Sequence, residues 1–122
     1  MKIKIKVNEL EEFAELNNTT TAWRIYEALP IKGTVNIWGD EIYFSIPVKV
    51  EPENPQTKVQ LGDIAYWPPG SAFCIFFGPT PISESGEIRP ASEVCVIGKL
   101  LGDPKQFKTV KDGETIILEK KE

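Results

Sequence analysis

The sequence predicts a mainly β fold, a closed barrel with one main helix at about 20–29 and a short helical turn at about 103–110. Three observations predict it. Apolar and polar residues alternate with period two along most of the chain, so each strand has a core face and a second face. One segment alone carries the 3.6-residue apolar stripe of an amphipathic helix. Seven or eight short strands in a chain with 41% hydrophobic residues leave edges open to pairing unless the sheet closes on itself. The 122 residues fit one domain, 1–122, with no internal repeat and no linker that would divide it.

Residues 2–7 alternate Lys2, Lys4 and Lys6 with Ile3, Ile5 and Val7, a strand with one wet face. Residues 11–16 mix helix and strand preferences, but Asn17-Asn18 behind them favours a hairpin partner for 2–7. Thr19, Thr20 and Thr21 are N-cap types. Ala22, Ile25, Tyr26 and Leu29 then fall on one helical face, and Pro30 ends the helix. Trp23 and Arg24 lie off that stripe. Gly33 to Trp38 and Glu41 to Ile46 flank Gly39-Asp40 as a hairpin, with Ile42, Phe44 and Ile46 facing one way and Tyr43 and Ser45 the other.

A polar loop at 51–57 leads to a strand at 59–67, and Pro68-Pro69-Gly70 makes a turn. Residues 72–77 are a nearly continuous apolar strand, the pattern of a strand covered on both faces. Residues 78–92 form a long loop with Pro79, Pro81, Pro90 and Gly86, a kind of loop that often carries function in a small domain. A buried strand follows at 93–101. Asp103 and Pro104 open the helical turn, and a last strand runs through 114–119.

Composition narrows the function. The chain has no histidine, which removes a His general base, a Ser-His or Cys-His pair and a His metal ligand. Its net charge of −4 and pI near 5.0 argue against a nucleic-acid partner, which calls for a basic face. No stretch approaches the roughly 18 apolar residues of a membrane span, and Met1 leads into a polar strand, not an apolar signal core. The expected location is therefore cytoplasmic, with no membrane partner. Cys74 and Cys95 lie in apolar runs and read as small buried hydrophobes, with a disulfide as the alternative. Cys74 as a nucleophile has no histidine to activate it. Glu84, Glu87 and Glu93 match no metal-site spacing, and Gly78-Pro79-Thr80-Pro81 has prolines where a phosphate loop needs donors. No cofactor and no metal are expected.

Residues 62–81, Gly-Asp-Ile-Ala-Tyr-Trp-Pro-Pro-Gly-Ser-Ala-Phe-Cys-Ile-Phe-Phe-Gly-Pro-Thr-Pro, resemble the small prokaryotic cyclophilin-like proteins, a family without a settled function. Thr20-Thr21-Ala22, Leu29-Pro30 and Trp38-Gly39-Asp40-Glu41-Ile42-Tyr43-Phe44 support the resemblance, which extends over roughly 1–120. It implies a cyclophilin-type β-barrel. More distantly, Gly70-Ser71-Ala72-Phe73-Cys74-Ile75 and Val94-Cys95-Val96-Ile97-Gly98-Lys99-Leu100 resemble two strands of the peptidyl-prolyl isomerase cyclophilins. Their catalytic pattern does not carry over. The stretch matching their arginine strand, Glu41 to Val48, has no arginine; the pocket phenylalanine falls on Cys74; the pocket histidine and tryptophan have no counterparts. Isomerisation needs a donor on the prolyl nitrogen to weaken amide resonance, and an arginine supplies that donor.

The residues leave three readings. The first is a binding module whose surface groove takes a peptide or small apolar ligand, built from Tyr43, Trp67, Phe73, Phe77 and Arg89 with the 78–92 loop. The second is a peptidyl-prolyl isomerase with a relocated donor, for which Arg89 is the candidate catalytic residue. The third is an interaction protein that joins a partner or a second copy of itself as a homo-oligomer. Asp40-Glu41 reads as turn chemistry, and Asp63 as a carboxylate bonding nearby backbone N–H groups.

Overall fold

The structure is a computed structural model that describes residues 1–121. Ten strands form one antiparallel sheet: β1 (Lys2–Val7), β2 (Leu10–Leu16), β3 (Ile31–Thr34), β4 (Asn36–Trp38), β5 (Glu41–Ser45), β6 (Pro55–Gln56), β7 (Asp63–Trp67), β8 (Ala72–Phe76), β9 (Val94–Leu100) and β10 (Thr115–Lys121). One α-helix, α1, spans Thr20–Ala28, and 3-10 turns occupy Pro68–Gly70 and Pro104–Thr109. The sheet runs β3-β10-β1-β2-β9-β7-β8-β5-β4, and β6 adds to β9 off that path.

β1 and β2 pair as the expected hairpin, with Lys4 opposite Phe13 and Ile3 opposite Ala14. The helix starts where the threonines place it: the Thr19 hydroxyl accepts from the Ala22 N–H at 3.1 Å. Its first turn contains no acidic residue, and Glu53 from the following loop supplies one. The Glu53 carboxylate accepts from the Thr20 and Thr21 N–H groups at 3.1 and 2.9 Å and from the Thr21 hydroxyl at 2.8 Å. An anion is favoured there by the unpaired amides and the helix dipole. Those bonds hold its carboxyl below the usual carboxylate range. Ala22, Ile25 and Leu29 enter the core, while Trp23 is exposed.

The segment 33–38, read as one strand, divides at Val35. Ile31–Thr34 pairs with β10, and Asn36–Trp38 pairs with β5 around Gly39-Asp40. Here the expectation of a closed barrel needs correction. Among the described residues no ladder joins the ends of the sheet. β3 and β4 are its two ends, and Val35 alone separates them in the chain. The ends therefore meet by covalent continuity, and Val35 ties both of its backbone groups to the turn before β10, taking Glu114 O at 2.8 Å and receiving Gly113 N–H at 2.9 Å. Gly33 completes the approach, since a Cβ there would stand 2.5 Å from the Phe44 ring on β5.

One large core draws on the alternating residues of nearly every strand, including Ile3, Ile5, Phe44, Phe73, Ile97 and Leu118. A second, smaller cluster lies on the other face of β7 and β8. It holds Ala65, Ala72, Cys74, Phe76, Val94 and Val59, with Tyr43 and Trp67 packed partly over it. Cys74 and Cys95 are buried free thiols, as their apolar settings suggest. Asp63 accepts from the Gln60 N–H at 2.8 Å, the backbone role expected of it. No helix is long and apolar enough to cross a membrane among the described residues, and those residues hold no cluster of potential metal ligands.

Candidate functional site

The strand alternation puts Tyr43 and Trp67 on the same face of the sheet as Cys74. Tyr43 pairs with Cys74, Ala65 with Cys74, and Trp67 with Ala72. Paired residues share a face, so Tyr43 and Trp67 stand beside the small side chains Ala65, Ala72 and Cys74. Both rings pack against that buried cluster. Their centroids are 6.5 Å apart with planes at 73°, an edge-to-face pair. The result is a cavity of about 280 Å³ lined by Trp38, Glu41, Tyr43, Trp67, Pro90 and Ala91.

Four elements position that lining. β4 delivers Trp38, opposite Glu41 in the register of the hairpin. β5 delivers Glu41 and Tyr43 on one face, with Ile42 and Phe44 on the core face. β7 ends at Trp67, where Pro68 begins the 3-10 turn. A Cβ at Gly70 would stand 2.9 Å from the Trp67 ring, so the turn lies close under the indole. The long loop closes the far side. Its Ser92 hydroxyl accepts from Trp67 Nε1 at 2.7 Å, which fixes the indole plane. Within the loop, the Ser83 hydroxyl takes the N–H groups of Thr80 at 2.9 Å and Arg89 at 3.0 Å, and the Thr80 hydroxyl donates to Arg89 O. Val59 and Ile88 form a single β-bridge that pins the same loop to the segment before β7. Pro90 and Ala91 are thus presented by an internally bonded loop.

Glu41 is the one titratable carboxyl in the lining. It is 5% exposed, and burial pushes its carboxyl up to about 7, partly opposed by a hydrogen bond from the Cys74 thiol. Cys74 is pushed well above the usual thiol range, by burial first and then by the Glu41 charge, so it is an inert thiol. The site therefore combines aromatic walls, a buried acid that changes charge near neutral pH, and no nucleophile of its own.

Of the five residues expected in the groove, the structure brings two together, Tyr43 and Trp67. Phe73 and Phe77 belong to the main core, 0% and 4% exposed, and do not line the cavity. The alternation is as expected, with Phe73, Ile75 and Phe77 on one face and Cys74 and Phe76 on the other. The phenylalanine face fills the main core, and the cysteine face carries the second buried cluster, against which Tyr43 and Trp67 pack. Arg89 is next to Pro90 but is directed elsewhere: its Nε donates to Glu87 at 2.9 Å, and Glu87 also holds Lys58 at 2.8 Å. Trp38 and Glu41 are the residues that sequence reasoning missed. Glu41 shares the face of Tyr43 by simple alternation, and that signal was available.

A second cavity of about 300 Å³ adjoins the first beyond the Trp67–Ser92 hydrogen bond. Proline rings from Pro52, Pro55, Pro68 and Pro69 form much of it, with Tyr66 and Cys95 behind them. Its Tyr66 hydroxyl is already spent on Val48 O at 2.7 Å, and its Glu53 on the helix start.

These features can be set beside known proteins. A solution structure of a hypothetical protein from Archaeoglobus fulgidus is 46% identical to this chain, with a TM-score of 0.84 over 99% of this chain and 95% of that one. McbB in complex with tryptophan is similar in fold, with a TM-score of 0.72 at 14% identity over 98% of this chain; the match spans 44% of the McbB chain. No curated protein matches the sequence. The family model described as cyclophilin-like matches residues 1–119, and the chain belongs to the cyclophilin-like family.

Proposed function

We propose that this protein binds a small apolar ligand, or an apolar side chain of a peptide, in the cavity between Trp38, Tyr43 and Trp67. The observation that carries the reading is a surface cavity of about 280 Å³ walled by three large aromatic rings, Trp38, Tyr43 and Trp67. Tyr43 and Trp67 meet edge to face there, backed by the buried cluster of Ala65, Ala72 and Cys74. In a core, such a gap would be filled, because interiors are close-packed and empty space costs stability. Here it opens to the surface, in a concave, mostly apolar site with few polar groups, the usual form of a ligand pocket. The volume of about 280 Å³ suits one ring system with a short substituent. McbB, part of which shares this fold, has been solved in complex with tryptophan, a molecule of the size class inferred here.

The isomerase reading has less support. It asks for a fixed donor beside the bound proline nitrogen, and none of the six lining residues is an arginine or a lysine. Arg89 would first have to leave Glu87.

Binding is tested by titrating a set of ring-bearing small molecules and X-Pro peptides while following the indole N–H signals of Trp38 and Trp67 by NMR. A ligand of the cavity shifts both signals and leaves that of Trp23, on the exposed helix face, unmoved. Trp67→Ala and Tyr43→Ala each weaken it by about tenfold or more, the loss of one buried aromatic contact. Unchanged binding in both folded variants would overturn the proposal.

A further inference from the structure

The cavity holds one feature that an apolar ligand alone does not explain. Glu41 is 95% buried, by its exposure of 5%, yet it lines the cavity, and among the described residues no ion pair engages it. The charged groups near the site are engaged elsewhere. Arg89 and Lys58 are both held by Glu87, and the only group to which Glu41 is hydrogen-bonded in shifting its acidity is the weak thiol donor Cys74. Placing an acid there costs stability, because a carboxylate out of water is unfavourable unless paired. A glutamine or leucine would fill the same place on β5 without that cost. The walls around it also have a definite electrostatic character. Three of the six lining residues, Trp38, Tyr43 and Trp67, are aromatic, and the π face of an aromatic ring attracts cations. The Trp67 N–H, a donor that would favour an anion, is bound to Ser92.

We infer that the cavity selects a protonated amine borne on an apolar ring or chain, with Glu41 as its counter-ion and Trp38, Tyr43 and Trp67 as the aromatic enclosure. The inference rests on the binding reading above and names the class of ligand. The apolar body occupies the volume between the rings, and the ammonium donates to the Glu41 carboxylate. A neutral ligand of the same shape makes the ring contacts but leaves the carboxylate without a partner. A carboxylate-bearing ligand is repelled by it. The discrimination is of the kind that a buried charged group supplies, where an unpaired charge costs more than a lost apolar contact.

The test compares 2-phenylethylamine with 2-phenylethanol, which share ring and chain and differ in charge, at pH 8, where Glu41 is ionised. Indole N–H shifts of Trp38 and Trp67 report both. The expected result is an amine affinity at least tenfold above that of the alcohol in the wild-type protein. In Glu41→Gln that preference falls to within about twofold, and a cooperative urea transition shows the variant to be folded. Equal affinity for amine and alcohol in the wild-type protein overturns the inference and leaves the apolar pocket standing. A preference that survives in Glu41→Gln overturns the role of Glu41. If neither compound moves the two indole signals, the amine inference and the pocket reading fall together.

Discussion

The two faces of β8 lie on the same backbone and have opposite characters. The inner face carries Phe73 and Ile75, both fully buried, with Phe44 stacked against Phe73 at 5.4 Å between centroids. The outer face carries Ala72, Cys74 and Phe76, equally out of reach of solvent, with Tyr43 and Trp67, two walls of the cavity, packed against them. Burial is alike on the two faces; side-chain volume is not. The inner face is filled by rings that reach one another across the core. The outer face has the small residues Ala72 and Cys74, against which the large rings Tyr43 and Trp67 pack. One strand thus joins the main core on one side to the support of two cavity walls on the other, and groups are held best on such rigid elements.

The comparison is broken most directly by truncation on each face. Phe73→Ala removes a ring from a close-packed interior and is expected to cost about 3–5 kcal/mol. Cys74→Ala removes one sulfur from a face already beside a cavity and is expected to cost about 1 kcal/mol. Urea denaturation of the two variants measures both. Similar losses would mean that the outer face is packed as tightly as the inner one.

The next effect concerns charge on the outer face. Glu41 titrates at about 7 in the folded chain against an ordinary value of 4.5. The folded state therefore holds this proton more tightly than the unfolded state. The stabilisation from that proton is complete below pH 4.5 and is lost as pH rises through about 7. Glu41→Gln cannot ionise, so it should match the wild-type protein in stability near pH 4 and exceed it at pH 8, by at most about 3 kcal/mol. Melting curves at the two pH values give the sign. A variant no more stable than the wild-type protein at pH 8 would show that the carboxylate is already well solvated through the cavity mouth.

A smaller effect sharpens the picture of the walls. Ser92→Ala removes the acceptor of the Trp67 N–H, at an expected cost of about 0.5–1 kcal/mol for a partly exposed hydrogen bond. The indole N–H resonance of Trp67 should then move to a solvent-exposed position while the core signals of Phe73 and Ile75 stay in place. Movement of those core signals would show that the two faces are mechanically coupled.

Much of this architecture was legible in the residues, for specific reasons. The period-two pattern of 2–7 and 72–77 follows from strand geometry, which does not depend on the rest of the fold. The helix expected at 20–29 was marked by Thr19, Thr20 and Thr21 as N-cap types and by Pro30, and it forms over Thr20–Ala28 with Thr19 as the cap. The division at Val35 was not legible, because it depends on two different partners, β10 and β5, that only the folded sheet brings together. For the site, alternation grouped Phe73 with Phe77 and separated both from Cys74, but it could not say which group faces inward. The expected groove therefore mixed residues of both faces, and Phe73 and Phe77 lie in the main core instead of the cavity lining. Asp40-Glu41 was read as turn chemistry although Glu41 also opened the expected strand; it stands at the first position of β5, opposite Trp38. The resemblance to the isomerases set Cys74 at their pocket phenylalanine; Cys74 lies in the buried cluster against which Tyr43 and Trp67 pack.

The Val35 junction has a consequence for the order in which the chain is assembled. Ile31–Thr34 takes its partner from Thr115–Leu118, so this ladder waits for residues far along the chain. Local hairpins such as β1 with β2 and β4 with β5 close loops of a few residues, and they form early at little entropic cost. β10 is different in kind, because it pairs with both β1 and β3. Until it arrives, a growing chain shows two bare strand edges at once, and a single late segment covers both. While β10 is unpaired, the bare edges of β1 and β3 are open to capture by a chaperone or by another chain, and its docking closes both together.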